Sequence, residues 1–173
     1  MSDFFEKVTG GQDLFKSLTS KIPGFGGYVE RQNRRAADKL LRETVARRFE
    51  ELYTRASALQ ADLVANGMIT FVDDMEKATI KIRTFIDKIA MGAYGASGLF
   101  DAVKINEKEL EQLYQFDNAF FALGDQVSAA LDNVEASLGD EAALPAAIRN
   151  LTNLARDAVK TFERRSEVFT GSN

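Results

Sequence analysis

The sequence predicts an all-α protein, an antiparallel four-helix up-down bundle that is preceded by an N-terminal amphipathic arm. Apolar residues recur at alternating spacings of three and four in four long segments, which is typical of helices that pack along one face. Only two prolines interrupt the 173 residues, and no alternating β-branched and aromatic run indicates a strand. An apolar fraction of 45% is enough for one hydrophobic core. We therefore divide the chain into an arm with its hinge (1–27), a bundle (28–169) and a polar tail (170–173).

The first element, residues 2–22, is predicted to be an amphipathic helix. One face of this helix is apolar, and the opposite face carries mainly Ser, Thr and Gly. The pair Gly10-Gly11 weakens the helix by ~1 kcal/mol per glycine relative to alanine. The hinge that follows, 22–28, contains Pro23 and three glycines, and we expect its two aromatic residues to dock onto a larger surface. The residues predicted to contact a membrane surface or a partner are Phe4, Phe5, Val8, Phe15, Leu18, Ile22, Phe25 and Tyr28.

The next segment, 28–67, is predicted to be one helix of about 40 residues, or about 60 Å. It contains no proline, and Gly67 is expected to close it in a left-handed conformation. Its first half is basic and polar. Its second half has a seam for packing on neighbouring helices, formed by Phe49, Leu52, Ala56, Leu59 and Leu63.

Three further helices are predicted, at about 69–92, 107–137 and 145–169. Asn106 and Glu109 form the pattern of a capping box, and Pro145 suits a first helical turn. The glycine-containing connection 92–105 is expected to pack over an end of the core. The third helix has a predicted seam at Leu113, Phe116, Phe120, Leu123, Val127, Ala130 and Val134.

Composition excludes large classes of chemistry. The chain has no Cys and no His, so thiolate or imidazole metal sites and Ser-His-Asp or Cys-His catalysis are impossible. We predict no enzyme activity, no cofactor and no small-molecule substrate. No run approaches the ~18–20 apolar residues of a membrane span, and the N-terminus lacks the basic and apolar regions of a signal peptide. These patterns predict a cytoplasmic location, with attachment at the periphery of a membrane as one option.

Charge is distributed unevenly although the net charge is only −4. Residues 28–48 hold seven basic and three acidic residues, whereas 106–141 is strongly acidic. The basic face is predicted to contact anionic lipid head groups or an acidic partner; alternatively, it neutralises the acidic segment within the fold or across a homodimer. A sequence pI near 5.0 disfavours nucleic acid. The residues predicted to contact an anionic partner are Arg31, Arg34, Arg35, Lys39 and Arg42.

Acidic residues beside the predicted seams suggest a third, less favoured possibility, a carboxylate metal-binding bundle. The familiar di-iron arrangement needs Glu-x-x-His on two helices, and His is missing. Asp117 lies between Phe116 and Phe120, and we expect it either to face solvent or to pair with an arginine. The acids concerned are Asp73, Asp74, Glu76, Glu109, Glu111 and Asp117.

The sequence therefore favours a non-enzymatic adaptor or scaffold that docks through its arm and basic helix start to a membrane surface or a larger assembly. The alternative is a self-assembling structural protein whose arm packs on a neighbouring subunit. An amphipathic segment followed by a long helical hairpin is similar in layout to membrane-remodelling scaffolds of the phage-shock and ESCRT-III kind. Those proteins have longer hairpins through which they assemble, whereas the four seams here favour a closed bundle.

Overall fold

The computed structural model describes residues 2–91 and 106–170. Within these ranges the side chains of 2–10, Arg31 and 169–170 lie outside the description, as does the predicted connection 92–105. The protein is all-helical, with five helices packed against each other and no strand among the described residues. The helices are α1 (Ser2–Lys21), α2 (Arg34–Ala65), α3 (Val72–Met91), α4 (Glu107–Ala136) and α5 (Leu144–Thr170), with 3₁₀ turns at Arg31–Asn33 and Ile69–Phe71.

The first long helix begins later than predicted. Residues 28–33 are not α-helical: Glu30 has an extended backbone, with φ −84° and ψ 114°, and a 3₁₀ turn precedes α2. The physical reason is that Tyr28 is completely buried, so the chain must turn inward there before the helix can start. Arg34 at the start of α2 donates from Nε to the Tyr28 carbonyl at 2.8 Å, which fixes this turn.

Both helix-end predictions based on local chemistry are confirmed. Gly67 has φ +73° and follows the last residues of α2. At the start of α4, the Asn106 side chain accepts from the backbone N–H groups of Lys108 and Glu109, at 3.0 and 3.1 Å. The Glu109 carboxylate accepts in return from the Asn106 N–H at 3.3 Å. These are the two reciprocal bonds of a capping box.

The contacts between helices do not follow the order expected for the predicted up-down bundle. Helix α2 packs on α3 and α4, and α5 packs on the same two helices. Arg48 pairs with Asp125 and Arg55 with Asp132, so the neighbours α2 and α4 run in the same direction. In an up-down bundle with consecutive helices as neighbours, every adjacent pair is antiparallel. The described contacts therefore establish the all-helical class and not that topology.

The core contains an aromatic centre and the predicted seams. The rings of Phe49 and Phe85 lie 4.4 Å apart between centroids, and Phe85 lies 5.7 Å from Phe120. All five predicted seam residues of α2 are buried. In α4 five of the seven predicted seam residues are buried, whereas Phe116 and Leu123 are only half-buried. The buried positions there are Leu113, Tyr114, Asp117, Phe120, Gly124, Val127, Ala130, Leu131 and Val134.

The N-terminal arm lies against α4 of its own chain. Leu18 and Ile22 are completely buried, and the Asn118 amide donates to the Leu14 carbonyl at 3.1 Å. The hinge continues into an aromatic group in which Tyr28 stacks on Tyr114 with centroids 5.6 Å apart. The other members of this group are Phe15 and Phe25.

Two hinge glycines form a matched pair for testing how tightly the arm is held. A Cβ added at Gly24 (φ +82°) would meet nothing within 4 Å, whereas a Cβ added at Gly27 (φ +76°) would lie 2.5 Å from Tyr114 Oη. We expect Gly24→Ala to cost about 1 kcal/mol of unfolding free energy, from the left-handed backbone alone. Gly27→Ala is expected to cost about 2–4 kcal/mol, because the added Cβ would also displace the Tyr114 ring from its stack on Tyr28. Urea unfolding of both variants measures the difference, and equal losses would show that the Tyr114 ring yields freely.

Candidate functional site

Five buried side chains form a closed ionic cluster where the hinge meets one end of the bundle. They come from the hinge (Tyr28), from α2 (Asp38 and Arg42), from α4 (Asp117) and from α5 (Arg165). Their relative exposures are 0% for Tyr28 and Asp117, 2% for Arg165, 5% for Asp38 and 6% for Arg42. Two arginines and two aspartates balance formally, which is the condition under which charges are tolerated inside a protein.

Arg165 is the centre of this ionic cluster. Its Nε donates to Asp117 Oδ1 at 2.8 Å, and its Nη2 donates to Asp38 Oδ1 at 2.7 Å. The same Nη2 donates to the Tyr28 hydroxyl at 3.1 Å, and that hydroxyl donates to Asp117 Oδ2 at 2.7 Å. One guanidinium therefore joins the hinge to three different helices.

Arg42 extends the ionic cluster to a fourth helix. Its Nε donates to Asp38 Oδ2 at 2.8 Å, so Asp38 binds one arginine with each oxygen. Its Nη1 donates to the carbonyls of Ile89 and Ala90, at 3.1 and 3.3 Å. These carbonyls belong to the last turn of α3, where backbone acceptors lack partners within the helix. Arg42 thus caps α3 from α2.

The two carboxyl groups are affected differently by burial. Complete burial raises the pKa of Asp117 to about 6, although Arg165 and the Tyr28 hydroxyl oppose this shift. Burial would also raise the pKa of Asp38, but the charges and hydrogen bonds of Arg165 and Arg42 outweigh it and hold that pKa below its ordinary value. Burial, together with the nearby Asp117 carboxylate, raises the pKa of the Tyr28 hydroxyl well above its usual range.

The cluster holds charged groups in place and does not present them to solvent. Among the described residues, every buried side-chain polar atom has a hydrogen-bond partner. A carboxyl with a pKa near 6 is a feature of many active sites, but such sites also have a cleft through which a reactant approaches. Asp117 is completely buried, and neither of the two grooves described below is lined by a member of the cluster.

The predicted docking residues are found in two situations. Leu18, Ile22, Phe25 and Tyr28 lie in the core of their own chain, with 0–5% exposure, and Phe15 is half-buried against it. Docking of these residues elsewhere therefore requires the arm to leave α4. The side chains of Phe4, Phe5 and Val8 lie outside the described residues.

The predicted anion-contact residues do not form one continuous patch. Arg42 is buried in the ionic cluster, and Arg34 is half-buried with its Nε on the Tyr28 carbonyl. Arg35 and Lys39 are exposed, and Lys39 lies 3.8 Å from Glu43. The side chain of Arg31 lies outside the description.

Ion pairs between α2 and α4 support the alternative explanation for the charge asymmetry, in which basic residues neutralise the acidic segment. Arg48 of α2 lies 3.7 Å from Asp125, and Arg55 of α2 lies 2.6 Å from Asp132. Both aspartates belong to the acidic helix α4. Part of the basic character of α2 therefore neutralises α4 within the fold.

Two surface grooves lie between the described helices. The first, of about 720 Å³, lies between α1, the hinge and the start of α4, and its lining includes Phe15, Val29, Leu110 and Tyr114. The second, of about 450 Å³, lies between α3 and α5. Its lining is mainly polar and charged.

No metal site and no membrane span is found in the part of the chain that the structure describes. No three carboxylates there come together as ligands would, and Asp117 binds Arg165 rather than other acids. None of the helices in 2–91 and 106–170 combines the length and the apolar character that crossing a bilayer requires. Comparison with protein-family models, with curated proteins and with solved structures found no match.

Sequence reasoning named Asp117 as facing solvent or pairing with an arginine and named Arg42 as a contact for an external anion. It did not predict the buried cluster and missed Asp38 and Arg165. A signal for them exists. The α2 seam, extended backwards from Phe49 in steps of three and four, reaches Arg42 and Asp38. In α5 an apolar stripe, extended forwards from Phe162 by three residues, reaches Arg165; its members are Ile148, Leu151, Ala155, Ala158 and Phe162. A charged residue in the register of a buried seam predicts a buried ion pair.

Removing the charge of Arg165, the centre of the ionic cluster, should lower the free energy of unfolding strongly. Arg165→Met leaves Asp117 with no cation, so we expect a loss of about 3–5 kcal/mol in unfolding free energy at pH 7. Part of this loss should be recovered at pH 5, where the uncompensated carboxyl accepts a proton. Arg164→Met, an exposed neighbour on the same helix, is the control and should change stability by less than about 0.5 kcal/mol. Urea unfolding at both pH values tests this, and similar losses for the two variants would contradict it.

The raised pKa of Asp117 predicts a pH dependence of stability. Its pKa is about 6 in the folded protein and about 3.9 in an unfolded chain. The stabilisation linked to this group is therefore complete below about pH 4 and is lost as the pH rises through about 6. The unfolding free energy of the native protein should fall by about 1–3 kcal/mol between pH 4 and 7 relative to that of Asp117→Asn.

The matched control for this measurement is Asp125→Asn, because Asp125 is an exposed aspartate of the same helix. It should leave the pH profile close to that of the native protein. Carbon NMR of the Asp117 carboxyl provides a direct readout, with an expected midpoint near 6. A midpoint below 4 would mean that the pairing with Arg165 outweighs the effect of burial.

Proposed function

We propose that the protein is a non-catalytic helical scaffold that docks through its N-terminal arm and the start of α2 to a membrane surface or a larger assembly in the cytoplasm. The observation that supports this most directly is the attachment of the arm. Helix α1 packs on the rest of the protein through α4, and a glycine-containing hinge joins it to a firmly held residue. An amphipathic helix attached through such a hinge can pack either on α4 or on the surface of a membrane or a larger assembly.

The firmly held residue is Tyr28. It is completely buried, its hydroxyl bonds to Asp117 and Arg165, and its carbonyl accepts from Arg34. Residues that precede it include Gly24 and Gly27, both with positive φ. Movement of the arm would therefore pivot between Lys21 and Tyr28 and leave the hydrogen bonds of Tyr28 in place.

The arm has an apolar face that a new surface could cover. By sequence spacing, Phe4 and Val8 lie on the same helical face as Leu18 and Ile22. Removing Leu18, Ile22 and Phe25 from the core would cost about 1.5–3 kcal/mol for each. Insertion into a membrane interface or a partner groove would return a similar amount. Phe4, Phe5 and Val8 would provide the first contact, with Arg35 and Lys39 near anionic groups.

A non-catalytic role is supported by the state of the ionisable groups. The group with the pKa best placed for acid–base work, Asp117, is completely buried, bonds to Tyr28 and Arg165, and lines neither of the two grooves found among the described residues. We further propose that α2–α5 form a four-helix bundle in which successive helices run in opposite directions, and that this bundle serves as a rigid body for the arm. The contact of Arg42 near the start of α2 with the last turn of α3 supports opposite directions for that pair.

A second candidate function is self-assembly, in which the arm of one copy packs on α4 of another. The same hinge supports it, because an arm whose main described packing partner is one helix, α4, can be exchanged between copies. Partners are therefore proposed to be an anionic membrane surface, a protein or a second copy of this chain. The acidic pI near 5.0 disfavours nucleic acid.

Vesicle flotation of the full chain tests the membrane proposal. We expect the native protein to float with anionic vesicles and the double variant Phe4→Ser/Phe5→Ser to lose at least about tenfold in affinity. The matched control is Ile69→Ser/Ile80→Ser, because these side chains are 69% and 55% exposed on another part of the protein. Equal binding of both double variants would contradict docking through the arm.

Hydrogen exchange of the same samples distinguishes the two candidates. If the arm moves to the membrane, amides of α4 near residues 113–118 should lose protection when vesicles are added. If the arm is exchanged between copies, α4 should stay protected while light scattering gives a mass that is a multiple of 19.1 kDa. A monomer that ignores vesicles would contradict both proposals.

A further inference from the structure

The groove between α3 and α5 has the chemistry of an anion site. Its lining includes Lys77 from α3 and Arg149 and Arg156 from α5, together with the polar side chains of Thr152 and Asn153. The one acid in the lining is Asp74, which lies 3.6 Å from Lys77. Three cations therefore face one anion, although the chain as a whole has a net charge of −4.

Two arginines without a carboxylate partner in the described part of the chain lie together in this groove, whereas most buried or half-buried arginines of the bundle are paired. Arg42, Arg48, Arg55, Arg83 and Arg165 each have a carboxylate partner within 4.0 Å. Arg149 and Arg156 are exposed and form no ion pair among the described residues, a state that they share with Arg47 and Arg164, but only the first two line the groove. Since a planar guanidinium suits two oxygens of one anion, a pair of unneutralised arginines in a groove favours an external anion.

The dimensions of the groove indicate what kind of anion would fit. Arg149 and Arg156 are seven residues apart, or about 10 Å along the helix axis, so each can reach toward a group between them. A volume of about 450 Å³ is within the range of small-molecule sites, about 300–1,000 Å³. Ile148, which is 2% exposed, and Pro145 supply an apolar wall.

From this arrangement we propose that the groove between α3 and α5 binds a soluble oligophosphate, with Arg149 and Arg156 holding the phosphoryl groups from α5 and Lys77 from α3. A chain of two or more phosphoryl groups matches cations spread along the groove better than a single phosphate does. The start of α5 adds a favourable dipole at one end of the groove. Binding here does not depend on the arm or on the proposed docking function.

Calorimetric titration of the full chain with sodium pyrophosphate at about 0.15 M ionic strength, where the Debye length is about 8 Å, tests this proposal. The groove variant Arg149→Gln/Arg156→Gln should weaken binding by at least about tenfold. The matched control is Arg47→Gln/Arg164→Gln, which removes the same charge from exposed arginines outside the groove lining. It should change the affinity by less than about threefold, because distant exposed charges are screened.

A third variant is expected to strengthen the binding of pyrophosphate. Asp74→Asn removes the acid from the lining and releases Lys77, so pyrophosphate should bind about twofold to fivefold more tightly. Equal weakening in the groove variant and its control would overturn the proposal, since it would show attraction by overall charge only. No measurable heat or chemical-shift change with pyrophosphate would also overturn it.

The oligophosphate proposal and the docking proposal can be tested independently of each other. The groove variant is expected to float with anionic vesicles as the native protein does, because the proposed membrane contacts lie on the arm and the start of α2. Loss of both pyrophosphate binding and flotation in this variant would mean that the groove recognises lipid head groups instead, and the soluble ligand would be the wrong assignment.

Discussion

The guanidinium of Arg165 is the interaction on which the rest of the structure depends. It is 2% exposed, so it must find acceptors inside the protein, and these come from Asp117, Asp38 and Tyr28. Apolar seams with repeating spacing tolerate a slip of one helix past another by a turn, because leucine meets leucine again. A buried charge does not tolerate such a slip, since it would lose its partners. We infer that the ionic cluster sets the register of α2, α4 and α5.

The features that sequence reasoning predicts correctly are those with local causes. The α2 seam, the glycine at the end of α2 and the capping box of Asn106 and Glu109 all follow from residues within one or two turns of each other. The predicted start of α2 is six residues too early for a non-local reason. Helix propensity continues through 28–33, but burial of Tyr28 against α4 and α5 overrides it.

The candidate site is less predictable because its members are distant in sequence. Asp38 and Arg165 are separated by 127 residues, and no local pattern shows which of the many acids meets which arginine. The predicted α4 seam includes Phe116 and not Asp117, because a hydrophobic pattern treats a carboxylate as a surface residue. In the same way, the amphipathic pattern of the arm is equally satisfied by a membrane, by a partner or by its own α4. The pairing of α2 with α4 as parallel neighbours also has no signal in loop lengths.

The sequence separation within the ionic cluster has a consequence during biosynthesis. Tyr28 and Arg165 are 137 residues apart, and a ribosome adds about 5–20 residues per second, so roughly 7–30 s separate the synthesis of the two partners. During that interval the hinge has no guanidinium to hold it, and Leu18, Ile22 and Phe25 have not yet met their complete core. Until α4 and α5 have been synthesised, the apolar side chains of the nascent arm lack their own core and are accessible to chaperones and to neighbouring chains.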